Sequence, residues 1–254
     1  MYQIDHMIKK TAEDRFWEID FLRGTAIILM IIFHFIYDLN HLKIIYYKLW
    51  EGPCAITAKI VASFFLFLVG ISLTISFNKS KQHSSLLEIR HKLIIRAGKL
   101  LFIGILITII SWILIPERFV IFGILHCIGV SIILSIPFLP YIIPNVLIGI
   151  TLIISGIYLQ YFTVDFPWLI PLGFVPPNYF YIDFFPLLPW FGVVLVGIAL
   201  GNYLYPQGQR RYHMNYTLQS TSKRICFIGR HSLPIYVLHQ PVLFGFIYLI
   251  FYPF

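Results

Sequence analysis

Five ionisable residues within one apolar stretch define the chemistry open to this chain: Asp20, Arg23, His34, Asp38 and His41. A helix turns about 100° per residue, so their spacing predicts one polar stripe confined to an arc of about 60°. Ile27 and Met30 interrupt the stripe and gather its charge at two depths, Asp20 with Arg23 at one end and His34 with Asp38 near the other. Four residues apart, His34 and Asp38 are neighbours on the helix surface. A carboxylate in that position can accept the imidazole N–H, fix the tautomer and raise the ring's basicity. A general base or an acyl-accepting nucleophile needs all three. The same bond would also serve packing alone, and Asp20 with Arg23 reads equally as an ordinary interfacial ion pair.

Three further places carry polar residues where apolar ones are expected. His126 sits in IFGILHCIG between Gly123 and Gly129, small residues that let a neighbouring helix or a ligand come close. Counted along its span it lies about 10 Å below the outer surface, the level expected for His34, which suggests a shared polar cavity. The stretch IGRHSLPIYVLHQP concentrates Arg230, His231, Ser232, His239 and Gln240, and Arg96 with Lys99 lie on the same expected side of the membrane. These cations and donors suit a phosphorylated ligand; snorkelling to the headgroups is the structural alternative for Arg96 and Lys99. No metal site is expected, since His34 and Asp38 would need a third ligand from His126 or His41 without motif support. The chain has no P-loop, no GxSxG and no dinucleotide fingerprint. Cys54, Cys127 and Cys226 lie far apart without a CxxC pair, which argues against disulfide or thiolate chemistry.

The elements that must position these residues are membrane helices. Of 254 residues, 59% are hydrophobic and 12% charged, and the mean hydropathy is +0.82; a soluble domain would be about a quarter charged. Hydropathy predicts an all-α, polytopic bundle in a single domain over the whole chain, 1–254, with seven spans: Phe21 to Leu39, Ala55 to Phe77, Leu93 to Ile115, Phe119 to Pro137, Ile143 to Phe162, Phe184 to Tyr205 and Ser232 to Phe251. Seven spans put the N-terminal segment, the second loop with the start of span three, and the sixth loop on one side. Those segments hold fifteen of the nineteen Lys and Arg residues, against Lys43, Lys48, Lys59 and Arg118 opposite. The N-terminus is therefore expected in the cytoplasm and the C-terminus outside. The net charge of +8 then marks cytoplasmic loops facing anionic membrane lipids, and no nucleic-acid partner is expected. No cleavable signal peptide is visible, so span one is expected to remain as an anchor. The longest outer loop, Thr163 to Asp183, lacks Lys and Arg but carries Trp168, Tyr179, Tyr181, Pro167, Pro171, Pro176 and Pro177, with Pro186 just beyond. It reads as a rigid aromatic cap, either an interfacial belt or a lid.

Five segments in order, RFWEIDFLRGTAIILMIIFH, SFFLFLVGISLTIS, FGILHCIG, FPLLPWFGVVLVGIALG and IGRHSLPIYVLHQPVL, resemble prokaryotic relatives of the heparan-alpha-glucosaminide N-acetyltransferase catalytic domain. The resemblance covers most of the chain and implies transfer of an acetyl group from cytoplasmic acetyl-CoA to an amine or hydroxyl of a sugar or glycan-like acceptor at the outer face of the cell membrane. In that frame His34 and Asp38 are the expected catalytic pair, with His41 and His126 in reserve. Arg23, Arg96, Lys99, Arg230, His239 and Gln240 are expected to meet the coenzyme at the cytoplasmic mouth. The animal lysosomal member is thought to use a histidine in the loop after span one, where this chain has only His41 close to the membrane. The competing reading is a transporter or flippase using the polar stripe as a proton or substrate path. Sequence does not specify an oligomeric state, the acyl chain length, or whether transfer is direct or passes through an acyl-histidine.

Overall fold

The computed structural model describes residues 16–49, 51–164, 166–176, 182–212 and 222–251. Apolar helices occupy all seven expected positions: α1 (Trp17–His41), α2 (Gly52–Ser80), α3 (Leu86–Leu114), α4 (Ile124–Ser135), α5 (Ile143–Leu159), α6 (Leu187–Leu204) and α8 (Ser232–Phe251), with a short α7 (Lys223–Arg230) ahead of the last. Five of them, α1, α2, α3, α6 and α8, are long and apolar enough to cross a membrane, whereas α4 and α5 are shorter. The chain is thus all-helical among its described residues, with one backbone bridge, Thr163 to Val175, in the long loop.

The shortening of α4 has a local cause. The expected span began at Phe119, but Gly123 is extended, with φ −81° and ψ 179°, and acts as the N-cap. The lead-in before it is non-helical, and its backbone finds partners within the protein: the Val120 N–H donates to Ser111 Oγ at 3.0 Å, and the Phe122 carbonyl accepts from the Phe185 N–H at 2.9 Å. Irregular backbone survives at membrane depth only when it is buried and paired in this way. At the other end, Asn145 Nδ2 donates to the carbonyls of Phe138 and Tyr141 and Asn202 Nδ2 donates to that of Leu139 at 2.8 Å. Two asparagines that sequence reading did not single out therefore hold the turn between α4 and α5. α3 starts at an N-capping serine: the Glu88 N–H donates to Ser85 Oγ at 3.3 Å, and the Ser85 hydroxyl donates to Glu88 Oε1 at 3.0 Å.

The described residues form two compact units, one within Met1–Phe65 and Met214–Phe254, the other within Leu66–His213. In the first, α7 and α8 pack on α1. Glycine makes the α1–α7 crossing possible: a Cβ at Gly229 would lie 1.8 Å from the Asp20 carbonyl oxygen, and one at Gly24 would lie 2.1 Å from that of Ile225. In the second unit, α6 is the central helix, with Val194, Leu195 and Ile198 fully buried and α5 along its side. Within the first unit most of α8 packs on nothing, and Val242, Phe246 and Leu249 are exposed there.

Candidate functional site

The first unit brings four of the sequence-singled residues together: His34 and Asp38 from α1, His239 and Gln240 from α8. The His34 and His239 rings meet edge to face, with centroids 4.7 Å apart and planes at 79°. Gln240 Nε2 donates to Asp38 Oδ1 at 2.6 Å, a link between residues 202 positions apart. Asp38 is 1% exposed.

Backbone carbonyls define both tautomers. His34 Nδ1 lies 2.9 Å from the Met30 carbonyl oxygen, and because a carbonyl only accepts, Nδ1 carries the proton and Nε2 the lone pair. His239 Nδ1 makes the same kind of bond to the Tyr236 carbonyl. These bonds correct one expectation. The His34 proton is fixed by its own helix and not by Asp38, whose carboxylate takes the Gln240 amide instead. Asp38 still lies within electrostatic reach of His34 and of His41. His239 and Gln240, expected to meet the coenzyme, lie against His34 and Asp38. Three atoms of this cluster, Asp38 Oδ2, His239 Nε2 and Gln240 Oε1, are buried without a hydrogen-bond partner among the described residues. His41, one turn on, is exposed, with its ring stacked 6.1 Å from that of Tyr37.

At the other end of α1, Arg23 Nη1 lies 3.6 Å from Asp20 Oδ1, the expected i, i+3 pair. Arg230 follows Gly229 at the α1–α7 crossing; its Nε donates to the Cys226 carbonyl at 3.3 Å and the residue is exposed. Arg23 and Arg230 therefore flank one helix contact.

His126, Arg96 and Lys99 belong to the second unit. His126 caps a helix there: the Gly123 N–H donates to its Nδ1 at 3.2 Å, so the N3 side chain takes the N-cap proton at the start of α4. Its tautomer is the opposite of that of His34. The ring is buried and packs on Gly104, where an added Cβ would come within 3.0 Å of it. Arg96 and Lys99, one turn apart on α3, are exposed. Of the aromatic loop, Pro167–Leu172 forms a 3-10 turn with Trp168 87% exposed; Pro177, Tyr179 and Tyr181 lie outside the described residues. The three cysteines are free. Among the described residues, no group of three or more His, Cys, Asp or Glu is placed to hold a metal ion.

Helices of membrane-crossing length, two of them meeting at half-buried imidazoles and a buried carboxylate, define an integral membrane protein with an ionisable centre. The profile of the heparan-alpha-glucosaminide N-acetyltransferase catalytic family matches residues 15–241, and the chain belongs to that family of membrane acetyltransferases. No curated protein and no solved structure matches it.

Proposed function

We propose that the chain crosses the cell membrane seven times with its N-terminus in the cytoplasm. In this reading it moves an acetyl group from cytoplasmic acetyl-CoA to an amine or hydroxyl of a sugar or glycan-like acceptor at the outer face. The observation that carries the reading is the pairing of the family match with one ionisable centre in the first unit, where half-buried His34 has an Nε2 lone pair within electrostatic reach of the buried Asp38 carboxylate. The seven-span topology is supported by charge, since it puts fifteen of the nineteen Lys and Arg residues on one side of the membrane.

His34 Nε2 acts in one of two ways. It takes the proton from the acceptor as the acceptor attacks the thioester carbonyl, or it attacks the carbonyl itself and hands the acetyl group on. In both routes the ring becomes cationic, and Asp38 stabilises it. Arg23 and Arg230 at the α1–α7 crossing are the proposed contacts for the coenzyme phosphates, and Arg96 and Lys99 serve anionic lipid headgroups.

Calorimetry of acetyl-CoA binding to the detergent-purified protein tests this, beside an Arg230→Ala variant. Micromolar binding is expected, weakened about tenfold or more by loss of one charged hydrogen bond. A folded protein that binds no acetyl-CoA at millimolar concentration would refute the reading and favour transport along the polar stripe.

A further inference from the structure

The first-unit cluster carries one inference that rests on the transferase reading and goes beyond it. Its hydrogen-bond supply is one-sided. His34 and His239 both spend their Nδ1 protons on carbonyls of their own helices, and Gln240 spends an amide proton on Asp38. What remains buried and unpartnered among the described residues is Asp38 Oδ2, Gln240 Oε1 and His239 Nε2, and all three are acceptors. Unpaired buried acceptors are costly, so such a cluster selects a ligand that arrives with donors. The phosphates and thioester carbonyl of the coenzyme offer only acceptors, and its amide N–H donors lie along the pantetheine arm, so coenzyme binding is measured separately below. A sugar amine or hydroxyl offers N–H or O–H groups.

We propose that His239, Gln240 and Asp38 form the acceptor-substrate subsite, receiving the N–H and O–H donors of a sugar and so holding its nucleophile beside His34. His239 Nε2 and Asp38 Oδ2 contact the acceptor directly. Gln240 contributes its free Oε1 and also acts as a positioning residue through its bond to Asp38. The edge-to-face contact with His34 places this subsite at the transfer centre, so α8 serves the acceptor and not the coenzyme.

The test uses the full-length protein in detergent with glucosamine as the probe. Glucosamine binding and acetyl-CoA binding are measured separately by calorimetry, and CoA thiol release is followed against glucosamine concentration. His239→Phe and Gln240→Leu are expected to weaken glucosamine binding and raise its half-saturating concentration by about tenfold or more, with the acetyl-CoA Kd unchanged within twofold. His239→Gln, which keeps a side-chain acceptor, is expected to recover most of the loss, an outcome that a purely structural role would not give; unchanged melting temperatures establish folding. Weakened acetyl-CoA binding in these variants, or glucosamine responses equal to wild type, would overturn the assignment. Failure of the wild type to bind glucosamine overturns it too. If the wild type binds glucosamine through these residues but never binds acetyl-CoA, the subsite stands and the transferase reading falls.

Discussion

Replacing Asp38 by asparagine isolates the charge at the centre of the site. Asparagine keeps an oxygen for the Gln240 amide, which now donates to Asp38 Oδ1 at 2.6 Å, and it keeps the volume of a residue that is 1% exposed, so the α1–α8 contact should survive. What disappears is the attraction between the carboxylate and the cation that forms on His34 during transfer. Residues at i, i+4 stand about 5–6 Å apart, and at an effective dielectric of about 20 that attraction is about 3 kcal/mol, or about two orders of magnitude in rate. The assay is single-turnover release of CoA thiol at saturating acetyl-CoA, with the melting temperature as a control for folding. A fall of about 100-fold with unchanged melting is expected. A folded Asp38→Asn protein that turns over within threefold of wild type would show that the carboxylate does not act on the reacting charge, and would leave it a structural partner of Gln240.

Other expectations follow from particular contacts. Gly229→Val drives a side chain into the Asp20 carbonyl, where even a Cβ would lie at 1.8 Å; overpacking of this kind costs about 1–3 kcal/mol, seen as a lowered melting temperature in detergent. At α4, His126→Leu leaves the buried Gly123 N–H without its acceptor, a loss of about 1–3 kcal/mol, whereas His126→Gln offers that N–H a side-chain oxygen and should melt closer to wild type. The seven-span topology is tested at the α4–α5 turn in a Cys54→Ser background. Tyr141→Cys, at an exposed position, should react with a membrane-impermeant maleimide only after permeabilisation, while Trp168→Cys reacts from outside. Labelling of both from outside would mean that α4 and α5 do not cross.

Much of this protein is legible in its sequence, because the properties concerned are local. Apolar windows near Phe21, Ala55, Leu93, Ile143, Phe184 and Ser232 fold as helices, since a backbone surrounded by lipid must pair its own N–H and C=O groups. The Asp20–Arg23 pair follows from i, i+3 spacing. The family was legible too, from five segments in order. The site was legible only in its parts. His34 and Asp38 were read as bonded to each other because they adjoin on one helix, yet each found a better partner: the Met30 carbonyl for the ring, and the Gln240 amide for the carboxylate. Counting residues along the spans did not bring His239 and Gln240 together with His34 and Asp38, because such a count assumes that all helices begin in one plane. The offset of α8 against α1 is a tertiary quantity, set where α7 packs on α1 through Gly24 and Gly229. His126 likewise looked like a site residue until the extended backbone at Gly123 gave its Nδ1 a proton to accept. Sequence by itself determined which helices form and which polar residues enter the membrane. Tertiary structure decided which of those residues meet, because hydrogen bonding between residues 202 positions apart depends on helix offset and rotation that no local pattern encodes.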